Sequence, residues 1–169
     1  MPIPLSTLRS AALRESKSRW RDVTEARQSR AKTVFLCHSH SDASLASGLV
    51  TLLAEAGWTA YVDWKDHQMP PSPNRQTAER IQQRIVDSDL FLFLATSNSL
   101  ASRWCPWEIG FANGRKPIER IIVCPTQEGA TTHGSEYLDL YRRLDLSSAD
   151  ALAVWEPGET KAGVLVANL

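Results

Sequence analysis

The chain is poor in cysteine: across 169 residues only Cys37, Cys105 and Cys124 occur, an odd number with no CxxC pair. That argues against both a disulfide framework and a structural zinc site. There is no excess of either charge, with 19 Lys plus Arg against 19 Asp plus Glu, so the overall field gives no reason to expect nucleic acid or an anionic membrane as the main partner. No apolar run approaches the roughly 20 residues of a membrane helix, and the start of the chain lacks the apolar centre of a secretory signal. GxGxxG and GxxxxGK(S/T) are both absent, which removes the fingerprints of hydride-transferring dinucleotide enzymes and of P-loop NTPases. The expectation is a soluble, cytoplasmic protein with neither nucleic acid nor membrane as partner.

What is present fits one globular domain. A composition of 43% hydrophobic and 22% charged residues is ordinary for such a domain, and a chain of this length buries roughly 70% of the surface it exposes when unfolded. The start is basic. Arg9, Arg14, Lys17, Arg19, Arg21, Arg27, Arg30 and Lys32 face only Glu15, Asp22 and Glu25, and Trp20 is the one aromatic among them. A solvated helix face accounts for this better than a base-stacking surface. Leu5, Leu8, Ala12, Leu13, Trp20 and Val23 recur at spacings near three and four, so residues 5–31 read as one amphipathic helix or two short ones, an appendage to the main domain.

From Thr33 the pattern alternates. Thr33–Cys37 reads as a buried strand, succeeded by a polar loop and a helix over 43–56 that stops at Gly57. Trp58–Trp64 reads as a second strand, and 65–74, with Pro70, Pro71 and Pro73, as a long loop. A helix over 75–87 comes next, with Ala78, Ile81, Ile85 and Val86 on one face, and then a doubly buried strand, Leu90–Ala95. A helix over 102–113 carries Trp104, Trp107, Glu108 and Phe111. A strand over 121–124, a polar stretch over 126–135, a helix over 136–144 and a last strand over 151–155 complete the pattern. Strands alternating with helices indicate a parallel sheet covered on both faces.

Val34-Phe35-Leu36-Cys37-His38-Ser39 with Asp42 soon after, Ala60-Tyr61-Val62-Asp63 before a long loop, and Ser102-Arg103-Trp104-Cys105-Pro106-Trp107-Glu108 together resemble the TIR (Toll/interleukin-1 receptor) domain family, especially its bacterial stand-alone members. The last stretch is the most specific, being similar to the segment that holds the glutamate of NAD-cleaving TIR domains. Many members carry Tyr or Phe and then Arg where this chain has His38 and Ser39. The resemblance covers 32–155. It implies a flavodoxin-like three-layer α/β fold with a central five-stranded parallel sheet, a TIR domain over 32–169 and an N-terminal helical extension over 1–31. It also implies Thoeris-like antiphage defence, in which NAD is split into nicotinamide and a linear, cyclic or conjugated ADP-ribose product that signals to a downstream effector, with self-association through TIR–TIR contacts.

The chemistry fits the residues. Nicotinamide leaves as a neutral molecule from a cationic pyridinium, so no acid is needed, and positive charge grows on the ribose as in glycoside hydrolysis. A carboxylate beside the ribose favours that state over the ground state. Glu108 is the catalytic candidate. Trp104, four residues earlier on one helix face, would wall the pocket; His38, Ser39, Asp63, Trp64, Thr96 and Ser97 come after strands at the carboxyl end of the sheet, where such folds bind ligands. These seven are the substrate-binding candidates, with NAD as substrate and no further cofactor. Trp107 reads as core and Cys105 as a packed thiol. His38 and His40 form an HxH pattern without further ligands at suitable spacing, so no metal is expected.

Plainer readings stand beside these. Glu108 is also what a surface charge at a helix start looks like. A non-catalytic adaptor acting by TIR–TIR contacts would have no need of that carboxylate. A nucleoside deoxyribosyltransferase-like enzyme would use a similar fold and glutamate but spare NAD.

Overall fold

The computed structural model describes residues 1–14, 32–62, 74–137 and 139–169. Its elements in chain order are β1 (Ile3–Pro4), α1 (Leu5–Leu13), β2 (Lys32–Cys37), α2 (Ala43–Glu55), β3 (Trp58–Tyr61), α3 (Arg75–Asp87), β4 (Leu90–Ala95), α4 (Ser97–Leu100), α5 (Cys105–Arg115), β5 (Ile121–Glu128), β6 (Thr131–His133), β7 (Arg142–Leu146), β8 (Leu152–Trp155) and β9 (Val164–Leu165). The sheet runs β3-β2-β4-β5-β7-β8-β9, and both β1 and β6 pair with the far end of β5. β3, β2, β4, β5 and β7 are parallel, while β8 pairs antiparallel with β7 and β9 antiparallel with β8. These five parallel strands make this the flavodoxin-like α/β arrangement that the resemblance implies.

Residue parity assigns the two faces, because successive strand side chains point to opposite sides. Val34, Leu36, Leu92, Leu94, Ile122 and Cys124 join Leu8 of α1 and Leu45, Leu49 and Leu53 of α2 in one buried cluster. Phe35, Cys37, Phe91, Phe93, Ile121 and Val123 join Ile81 and Ile85 of α3 and Cys105, Ile109 and Ala112 of α5 in the other. This is why β4 reads as unbroken apolar sequence: both of its faces are covered.

Four expectations need correction. Over 3–13 the N-terminal segment is no appendage: Ile3, Leu8 and Ala11 have no exposed surface, and β1 adds to the sheet. α1 crosses α2 so closely that a Cβ on Gly48 would stand 1.9 Å from the Leu8 carbonyl oxygen. The rest of that segment, 15–31, lies outside the described residues, as does the loop over 65–73. On α3 the buried stripe is Thr77, Ile81 and Ile85 at four-residue steps, and Val86 is turned outward, 48% exposed.

The helix read over 136–144 is absent. In its place stand one 3-10 turn, Ser135–Tyr137, and strand β7, whose Leu144, Asp145 and Leu146 are all buried. The strand expected over 151–155, β8, comes after β7 with only residues 147–151 between them. So short a link permits an antiparallel hairpin and not a parallel crossover, which takes roughly a dozen residues. The fifth parallel strand is therefore β7, and not 151–155.

Candidate active site

The carboxyl ends of β2 and β4 are locked to each other by one buried carboxylate. After β2 the chain makes a 3-10 turn, His40–Asp42. Asp42 accepts hydrogen bonds from Thr96 Oγ1 at 2.5 Å and from Asn98 Nδ2 at 2.7 Å. Thr96 also caps α4, accepting from the Ser99 N–H at 3.0 Å while its own N–H donates to Ser99 Oγ at 2.8 Å. The loops after two neighbouring parallel strands are thus braced by charge-assisted bonds in a buried setting, where they are strongest.

α5 begins over this end of the sheet. Ser102 Oγ accepts from the Trp104 and Cys105 N–H groups at 3.1 and 3.3 Å, satisfying donors that a helix start leaves open, and Pro106 sits in the first turn where its missing N–H is harmless. The first turn brings Glu108 inward. Its N–H donates to the Trp104 carbonyl at 2.8 Å, and the residue is only 6% exposed. Burial first, then the Cys105 side chain and the nearby charge of Glu108, push the thiol of Cys37, the last residue of β2, well above its ordinary value. A surface charge at a helix start would face water, so that reading of Glu108 is set aside; the helix N-terminus offsets part of the cost of burying it.

Residues 34–153 match the family described as TIR domain. The chain belongs to the TIR domain family. A relative in Bacillus cereus (strain MSX-D12), "Probable 3' cyclic ADP-D-ribose synthase ThsB'", is 33% identical over 113 residues, covering 64% of this chain and 58% of the relative. The match thus spans little more than half the length of that relative.

Within this TIR domain the other candidates have distinct placements. His38 is buried beside the Leu36 carbonyl, Nδ1 to oxygen 3.1 Å, which favours the tautomer with the proton on Nδ1; its ring is 6.4 Å from that of His40. Ser39 caps the turn after β2, its Oγ accepting from the Ser41 N–H at 3.4 Å. Thr96 is buried with its hydroxyl engaged by Asp42, and Ser97 is exposed on the first turn of α4. Asp63 and Trp64 lie outside the described residues. No cluster that could hold a metal ion occurs among the described residues, and no helix among them is long and apolar enough to cross a membrane.

The two indoles of the Trp104–Glu108 segment differ from expectation. Trp107, read as core, is 37% exposed; it stands edge-on to Trp104, centroids 5.4 Å apart, and lies over Phe111 at 6.1 Å. Trp104 is the one that packs against the buried cluster below α5. Three roles escaped the sequence reading: Asp42 and Asn98 as the brace, and Cys37 as the neighbour of Glu108. A strand-end position of odd parity, on the face of Phe35, was the available signal for Cys37.

Proposed function

We propose that this TIR domain breaks the nicotinamide–ribose bond of NAD through Glu108. It releases nicotinamide and an ADP-ribose product that signals to a separate effector in antiphage defence. The observation that carries this is a carboxylate held out of bulk water at the start of α5, over the carboxyl ends of β2 and β4. In that setting a fixed negative charge acts on the developing oxocarbenium ion with little screening. The relative's name, a cyclic ADP-ribose synthase, supports the same substrate. An adaptor gains nothing from burying such a group, whose desolvation costs stability.

NAD is the substrate and nothing in the step calls for another cofactor: the C–N bond breaks, its electron pair leaves with nicotinamide, and a nucleophile then takes the anomeric carbon. Water gives linear ADP-ribose, a group of the same molecule gives a cyclic product, and another acceptor gives a conjugate. Trp104, His38, Ser39 and the exposed Ser97 are the proposed substrate contacts, Thr96 supports them from beneath through its bond to Asp42, and Asp63 and Trp64 are substrate-binding candidates by resemblance. Self-association through TIR–TIR contacts belongs to the same proposal.

The test is release of free nicotinamide from NAD by the purified chain and by Glu108→Gln. Loss of one electrostatic group of this kind lowers turnover by about 10²–10³, with the melting curve preserved. A well-folded Glu108→Gln protein of full activity overturns the assignment. Mass analysis of the product then separates a cyclic form, lighter by one water, from the linear one.

A further inference from the structure

The link from β5 to β7 carries a 3-10 turn, Ser135–Tyr137, where a crossover helix would cover the sheet. Two half-buried tyrosines of that link, Tyr137 and Tyr141, pack on the cluster shared with α5. The position of Tyr137 is fixed from several sides. Thr126 Oγ1 donates to the Ala95 carbonyl oxygen at 2.6 Å, and the far end of β5 is held between β1 and β6, with Thr126 opposite Ile3 on one side and His133 on the other. Gly134, at φ +87°, then lies so close to the end of β4 that a Cβ there would stand 2.4 Å from the Ala95 Cβ. Three residues on, the Tyr137 ring meets Phe93 edge-on, centroids 5.5 Å apart. Phe93 is in register with Cys37 of β2, whose Sγ is 3.9 Å from the Cys105 carbonyl oxygen in the first turn of α5. Tyr137 and the turn that carries Glu108 thus stand over neighbouring strands at one level of the sheet.

We propose that Tyr137 is a substrate-contacting residue whose ring receives the cationic nicotinamide ring of NAD. This rests on the reading of Glu108 as the NAD-cleaving group: a carboxylate placed to act on the ribose carbon has the ring bonded to that carbon beside it, and Tyr137 supplies an aromatic surface there. The pyridinium carries a positive charge, which the π face of a tyrosine attracts. Burial first, and then the charge of Glu136, hold the Tyr137 hydroxyl above its ordinary 10.0, so the residue stays neutral and acts through its ring. As the C–N bond breaks, its electron pair goes to nicotinamide, which becomes neutral, and the positive charge passes to the ribose beside Glu108. The attraction of Tyr137 is therefore greatest for bound substrate. It favours binding rather than the chemical step and lets the neutral product go.

Steady-state nicotinamide release and calorimetric titration of the full chain test this. In Tyr137→Leu, KM for NAD rises roughly 5–30-fold, the worth of one cation–π contact, and kcat is not lowered. Tyr137→Phe, which keeps the ring, and Tyr141→Leu, which alters the same link next to the start of β7, stay within about twofold of the wild type. In the titration, 1-methylnicotinamide, a cation with no ribose bond to cleave, binds the wild type more tightly than neutral nicotinamide does, and Tyr137→Leu removes at least about fivefold of that preference. Tyr137→Met, which also lacks a π face, gives the same readings where the leucine variant does not fold. An unchanged KM in Tyr137→Leu, an equal loss of affinity for the cation and the neutral ring, or a wild type without preference for the cation overturns the proposal. A fully active Glu108→Gln sinks the reading of Glu108 instead, and the titration, in which no bond breaks, tells the two failures apart.

Discussion

At the scale of single residues, α5 separates two tryptophans that sequence spacing leaves close together. Trp104 and Trp107 both fall near the stripe that faces the sheet, but α5 starts only at Cys105 and rotates Trp107 to its rim, where Phe111 stacks on it and Arg115 in turn lies 5.7 Å from the Phe111 ring. Trp107→Ala should therefore cost about 1 kcal/mol or less, the worth of an aromatic pair at the surface. Trp104→Ala should cost about 2–3 kcal/mol, short of the roughly 3–5 of a fully buried ring, and should also lower NAD turnover. Urea melts and nicotinamide release on the two variants check this. Asp42→Ala leaves the Thr96 hydroxyl and the Asn98 amide facing an empty place; with hydrogen bonds to a charged acceptor worth about 1.5–3 kcal/mol each, a loss near 3 kcal/mol is expected in the same melts.

At the scale of elements, α1 and β7 show packing overruling local pattern. The family match begins at residue 34, yet α1 covers α2 at Gly48, and Leu8 is wholly buried. Gly48→Ala must push α1 away from α2, because the obstacle is backbone and cannot turn aside. The expected cost is roughly 1–3 kcal/mol or more, as in other overpacked cores, with faster proteolysis of the N-terminal segment as its local signature. Leu8→Ala should cost about 2–5 kcal/mol as a core truncation. In β7, the Arg143 guanidinium holds the buried Asp145 at 2.7 Å and lies 5.2 Å from the Trp155 ring of β8, so charges that suggest a helix surface serve a strand pair instead.

At the scale of the whole molecule, the sheet's two faces govern how the protein responds to pH. Cys37 and Cys124 lie on opposite faces, and burial raises both thiols above the ordinary value of 9.0. The unfolded chain gives up these protons near 9.0 while the folded chain keeps them, so the stability they confer is complete below that pH and falls as pH rises beyond it. Burial raises Tyr137 and Tyr141 from 10.0 as well, which adds to the loss at higher pH. Thermal melts from pH 8 to 10 should show a declining Tm, with a shallower decline in Cys124→Ala. For the proposed self-association, specific NAD turnover should rise with protein concentration, and head-to-tail contacts would extend into open filaments. Constant specific activity across a dilution series monitored by light scattering would argue for an active monomer.

By itself the sequence determined the layers of this protein and the segment that carries its carboxylate. The unbroken apolar run Leu90–Ala95, the helix Arg75–Asp87 and the turn after β2 are encoded within a few residues by periodicity and capping, and the Ser102–Glu108 spacing marks Glu108 without reference to the rest of the chain. Tertiary structure alone decided that residues 142–146 form a strand, since their strand state depends on pairing with β5 and β8. It decided that α1 belongs to the core, because only the approach to Gly48 buries Leu8. It also brought Cys37 to Glu108 and Asp42 to Thr96 and Asn98, over separations of more than fifty residues, because a parallel sheet sets side by side strand ends that are far apart along the chain.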